Sequence, residues 1–167
     1  NNTAVGNNAL YYNLTGTDNN AFGLSSLMAC TTGYNNSAFG GGASYLAGAM
    51  QSLTTGYRNS GFGGGAMGST TTGANNVAVG DASLYTNSTG SDNVAVGQTA
   101  LVGATNASNN TACGYQTGYA VTTGGSNTLI GKHAGFGVTT GGGHVLLGKD
   151  SGITGSPGGN ITTANNI

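Results

Sequence analysis

The chain has 167 residues, 34 of them glycine, with one proline and no tryptophan, and only seven side chains carry a formal charge: Arg58, Lys132, Lys149, Asp18, Asp81, Asp92 and Asp150. So few charges exclude a charge-rich disordered tail and a surface basic enough to grip a phosphate backbone, so nucleic acid is not an expected partner. Collagen would need a strict G-X-Y period and abundant proline, and no apolar run approaches the ~20 residues that span a bilayer, so no membrane insertion is expected.

The chain opens on "NNTAVGNNAL", and the phrase returns as "DNNAFGLSSL" from Asp18, "NNVAVGDASL" from Asn75 and "DNVAVGQTAL" from Asp92. Its closing glycine falls at Gly6, Gly23, Gly40, Gly63, Gly80, Gly97, Gly114, Gly131 and Gly148. Seven of these eight spacings are 17 residues; the step from Gly40 to Gly63 is 23, which places a six-residue insertion near 44–50. Four residues before the glycine stand Asn2, Asn19, Asn36, Asn59, Asn76, Asn93, Asn110 and Asn127, then His144. One before it come Val5, Phe22, Phe39, Phe62, Val79, Val96, Cys113, Ile130 and Leu147, and two before it alanine is usual. Four after it stand Leu10, Leu27, Met67, Leu84 and Leu101, replaced late in the chain by Gly118, Gly135 and Gly152. A Thr-Gly pair such as Thr32-Gly33 or Thr72-Gly73 closes most units. No signal-peptide pattern is visible in the opening residues, which already belong to a repeat, and the chain is expected to be a piece of something longer.

Paired glycines in every unit disfavour helix, and short runs of Val, Phe, Tyr and Thr suit strands. A short strand, a glycine turn, a second short strand and a Thr-Gly turn fit one 17-residue rung. The expected fold is all-β: a parallel β-solenoid of about nine rungs over residues 1–158, with 159–167 as a continuation or the start of a next segment. At ~4.8 Å per rung each column becomes a ladder of like residues. The asparagines form a structural ladder whose amides can hydrogen-bond along the axis, and the glycines supply positive φ at corners. Adjacent columns one and two before the glycine are both apolar, and strand neighbours point to opposite faces. A thin solenoid has one inside, so the second face predicts a homo-oligomer.

These phrases, with "NNTACGYQTG", resemble the head repeats of trimeric autotransporter adhesins, and still more the "NTAVG…AL…TG" repeats of phage tail-fibre and related surface-fibre proteins. The resemblance covers nearly the whole chain, to about Gly158. It implies a left-handed β-roll, intertwined or side by side as a homotrimer. It also implies an attachment role on a virion, with a host surface glycan or protein receptor and other fibre proteins as partners. The 17-residue unit is longer than the usual autotransporter head unit, and the late swap of leucine for Gly118, Gly135 and Gly152 favours the phage-type fibre. A pure shaft or spacer, a bacterial cell-surface adhesin head and an ice-binding solenoid are the alternatives. The last suffers because paired threonines point opposite ways, leaving one rank outward.

Other chemistry finds little support. No two aspartates share a column in adjacent rungs, against the facing carboxylates of glycan hydrolysis, so no catalytic residue and no enzyme activity is expected. His133 and His144 occupy different columns, and neither a metal nor a cofactor is expected. "GHVLLGKD" mimics a phosphate loop but has Asp150 where Ser or Thr would hold magnesium. Cys30 and Cys113 lie five rungs apart, roughly 24 Å, too far for a disulfide; Cys113 reads as a small core residue. Lys132-His133 and Lys149-Asp150 share two columns in adjacent rungs, which sets His133 beside Asp150. In a trimer they form a belt of six lysines, a candidate contact for an acidic sugar or a neighbouring protein. Tyr45 and Tyr57, near the insertion, are candidates for stacking on sugars.

Overall fold

A computed structural model describes residues 1–42 and 47–152. Nine three-residue strands, β1 (Thr3–Val5), β2 (Asn20–Phe22), β3 (Ser37–Phe39), β4 (Ser60–Phe62), β5 (Val77–Val79), β6 (Val94–Val96), β7 (Thr111–Cys113), β8 (Thr128–Ile130) and β9 (Val145–Leu147), form one parallel sheet in chain order. Like pairs with like: Ala21 with Ala38, Phe22 with Phe39, Val77 with Val94. This is a β-solenoid with one sheet, and no helix occurs among the described residues. The expected boundary at 158 and the tail 159–167 lie outside those residues.

Left-handed backbone at both ends explains why the strands are so short. Five residues before the anchor glycine stand Asp18, Asn35, Arg58, Asn75, Asp92, Asn109 and Ser126, with φ between 54° and 62°. Asn and Asp tolerate this region best, because their short polar side chains bond locally. The anchor glycine closes the strand. Gly80 has φ of 125°, and a Cβ there would lie 2.7 Å from the carbonyl of Gly97 in the next rung.

The second strand expected in each rung is not formed among the described residues. Residues two and four after the glycine are left-handed instead, for example Ser25 (57°) and Leu27 (49°), or Ala82 (52°) and Leu84 (50°). They build turns, with Ser26 N donating to Gly23 O (3.3 Å) and Cys30 N to Leu27 O (3.1 Å). The rungs remain bonded here, since Leu27 N donates to Ala49 O and Ala29 N to Gln51 O. The ladder bonds persist, but the backbone is not extended. Glycine spacing and apolar composition do not distinguish these two states.

The interior is one side chain thick. The asparagine just before a strand and the strand's middle residue point inward, and in early rungs an alanine there meets the leucine column across the rung, as in the fully buried Asn76, Ala78 and Leu84. Each ladder Oδ1 accepts the next asparagine's backbone N–H, as in Asn36 N to Asn19 (3.0 Å) and Asn93 N to Asn76 (3.0 Å). The same oxygen accepts the next side-chain amide, as in Asn93 Nδ2 to Asn76 Oδ1 (3.1 Å). Nδ2 also donates across the interior to the rung's own Thr-Gly corner, from Asn59 to Gly73 O (2.8 Å) and from Asn76 to Gly90 O (2.9 Å). Asn2, Asn19, Asn36, Asn110 and Asn127 do likewise. A buried polar column is tolerated because every member is bonded. The run ends at His144, whose backbone N–H bonds Asn127 Oδ1 while its buried Nδ1 has no partner.

The insertion expected near 44–50 ends before Ala49. Ala49 N still donates to Gly40 O (2.9 Å), the same turn that Ala66 N closes on Gly63 O, so the extra residues leave the rung between Gly40 and Ala49. Ala49 and Met50 are fully buried rung residues, and Met50 fills the leucine column with φ of 50°. Residues 43–46, including Tyr45, lie outside the described residues. Register survives the detour, with Phe39 still opposite Phe62.

Candidate functional site

The outward face of the sheet is built from the two columns that alternate with asparagine and alanine. Directly before each glycine, Val5, Phe39, Phe62, Val79, Ile130 and Leu147 are exposed. Phe22, Phe39 and Phe62 stack at 4.7 and 5.1 Å with near-parallel rings. The other outward column is mixed: Val77, Val94 and Val145 alternate with the polar Thr3, Asn20, Ser37, Ser60, Thr111 and Thr128. Neither column contains a charged residue on any of the nine strands. The column directly before the glycines is thus a charge-free apolar stripe running the length of the sheet.

Cys113 belongs to this stripe. It is exposed on β7, not the core residue expected, because the period of two that sends Asn110 and Ala112 inward sends Cys113 outward. Cys30 is the buried thiol, with Sγ 3.7 Å from Gly33 O, and burial pushes its pKa up. Neither cysteine is in a disulfide.

A second feature occupies the corner after the glycine in the last three rungs. His133 Nδ1 donates to Asp150 Oδ1 at 3.0 Å, the tautomer that a carboxylate selects, and Lys149 Nζ lies 3.4 Å from Asp150 Oδ2. Partial burial pushes the Asp150 carboxyl up, but the His133 hydrogen bond and Lys149 outweigh it and hold the pKa below its ordinary value. The two lysines are splayed as their repulsion requires: Lys132 turns back over the Tyr115 ring, 5.6 Å from its centroid. The cluster extends beyond the four residues flagged by charge. His133 contacts Tyr115 and Phe136, and Phe136 stacks on Tyr119 at 5.0 Å. Tyr115, Tyr119 and Phe136 were legible only as adjacent-rung occupants of the columns one and five after the glycine.

Tyr57 stacks on Tyr34 at 4.9 Å with Arg58 over its ring, so one of its faces is already occupied. The threonine before each corner glycine, such as Thr32, Thr55, Thr72, Thr89, Thr123 and Thr140, is exposed. Its neighbour spends its hydroxyl along the axis: Thr54 Oγ1 donates to Thr71 O (3.1 Å) and Thr122 Oγ1 to Thr139 O (3.2 Å). Among the described residues no three His, Cys, Asp or Glu side chains gather as a metal site. "GHVLLGKD" includes strand β9 rather than forming a loop. No helix of the described chain is long and apolar enough to cross a membrane.

No family model, no curated protein and no solved structure matches the chain.

Proposed function

We propose that the chain is a structural and adhesive segment of a trimeric surface fibre, a virion tail fibre used for host attachment. The observation that carries this reading is the charge-free apolar stripe from Val5 to Leu147. It gives each rung an outward apolar residue, which sister chains wrapped around a common axis would bury. Buried apolar area contributes about 25 cal/mol per Å², and a stripe repeated over nine strands accumulates that gain without any single dominant contact. Handedness, trimeric number and virion location follow the resemblance of the repeats to surface-fibre proteins. A bare shaft would need the stripe and nothing more; the insertion and the Lys132–Asp150 corner favour a contact role.

Sedimentation equilibrium of Phe39→Asp and Val79→Asp tests the face. Both positions are exposed in the single chain, so each charge is tolerated by the rung and rejected by an interface. The wild-type chain is expected to assemble and both variants to dissociate. Assembly unchanged by both substitutions would contradict the proposed face.

The exposed threonine rank supports one competing reading, an ice-binding solenoid. Its weakness is that the adjacent hydroxyls are already bonded to backbone carbonyls. Unshaped ice crystals in a cold stage would remove it.

A further inference from the structure

The corner cluster of the last three rungs begins one residue past the anchor glycine, and Lys132 and Lys149 are exposed in the single chain. Two of the chain's three cations, Lys132 and Lys149, are here, while Asp18, Asp81 and Asp92 all lie in earlier rungs. The column that holds Tyr115, Lys132 and Lys149 carries Asn7, Leu24, Gly41, Gly64, Asp81 and Gln98 before them, so the patch is local. Tyr119 and Phe136 stack with an interplanar angle of 11° at about one rung spacing, which sets their planes across the axis and turns ring edges outward. Ring edges carry the positive rim of the aromatic quadrupole. Tyrosine edges, a histidine and two ammonium groups on one shallow surface suit an anion that also bears hydroxyls and apolar C–H groups.

From this geometry we infer that Lys132, Lys149, Tyr115, Tyr119 and His133 form a binding patch for a carboxylate-bearing saccharide of the uronic acid class. The inference rests on the attachment reading above and names its ligand. Lys132 supplies the cation for the sugar carboxylate, since only a ring face engages it. Lys149 is held back by Asp150, and Asp150 itself repels an anion. Asp150 is therefore a brake on affinity, although it positions His133.

The probe is tetragalacturonate, with maltotetraose as neutral control and dextran sulfate as a sulfated polyanion without carboxylates, measured by calorimetry on the full chain. Tetragalacturonate is expected to bind and maltotetraose not to. Lys132→Gln should weaken binding roughly tenfold or more, the worth of a charge-assisted contact. Asp150→Asn should tighten it, and asparagine keeps the left-handed backbone there (φ 58°). A merely structural role for Asp150 predicts the opposite sign. No tetragalacturonate binding at millimolar concentration, or binding indifferent to Lys132→Gln, overturns the inference. Equal response of dextran sulfate to both substitutions also overturns it, since the patch would then be a general anion exchanger. If the chain assembles and competes for host cells but ignores tetragalacturonate, this inference falls alone. If it binds tetragalacturonate but neither assembles nor competes, the attachment reading falls and the patch stands.

Discussion

A Cβ placed on Gly135 would lie 2.9 Å from Cδ2 of Leu129, which faces it across the same rung. Earlier rungs divide that space the other way, with Ala78 facing Leu84 and Ala95 preceding Leu101. At Gly61 the partner is larger still: the methyls of Met50 and Met67 would lie 3.2 and 3.3 Å from an added Cβ. Gly152 repeats the late pattern under Leu146. Rung seven is the crossover, where Gly118 is approached by Leu101 from one side and Leu129 from the other. One fixed interior volume is thus filled from the corner in early rungs and from the strand in late ones.

This relationship predicts a strong coupling. Leu129→Ala alone should cost about 2–5 kcal/mol by opening a cavity. Gly135→Leu alone should cost about 1–3 kcal/mol by overpacking. Together they recreate the early-rung pair, and urea denaturation should show the double variant well above the sum of its parents.

The asparagine ladder predicts a contrast between neighbours. Asn76→Ala strips the buried Asn93 N–H of its partner and removes one of the two donors on Gly90 O, which keeps Asn87 Nδ2, and should cost about 1–3 kcal/mol. Asn75 is exposed and left-handed (φ 57°), and its side chain bonds only Asp92 at the surface. Asn75→Ala should cost only about 1 kcal/mol, from the backbone. Urea midpoints of the two variants measure the difference.

The cysteines predict a labelling pattern. Cys30, buried and with its pKa pushed up, should resist maleimide until the rung opens. Cys113 is exposed in the single chain but lies in the apolar stripe. It should be protected in the assembled protein and labelled rapidly once dilution dissociates it. Rapid labelling of Cys113 in an intact assembly would place the interface elsewhere.

Acid predicts a local effect. The Asp150 pKa is held below that of the unfolded chain, so its contribution is present above about pH 4. It is lost as pH falls through the lower folded value. The urea midpoint should drop over that range, and Asp150→Asn should flatten that part of the profile.

Much of the architecture was legible because a 17-residue period puts each residue type into one physical environment. The asparagine column, the anchor glycines and the 23-residue step could all be located by counting. Three things were not. The left-handed residues after the glycine, such as Ala82 and Leu84, leave no compositional mark that separates turns from strand. The direction of the column holding Cys113 depends on which strand neighbour faces in, and alanine beside valine does not settle that. The limits of the insertion needed the Ala49–Gly40 bond, since glycine and alanine fill both the rung and the detour. At the corner, charge alone marked Lys132, His133, Lys149 and Asp150, while their aromatic neighbours emerged only from the stacking of rungs.

The mass in solution, by light scattering, tests the central claim most directly. The chain is 16.1 kDa. A stable particle of about 48 kDa, three chains of 16.1 kDa, is the result the proposed trimer predicts. A stable 16.1 kDa monomer at all concentrations would contradict it, leaving the stripe from Val5 to Leu147 open to water.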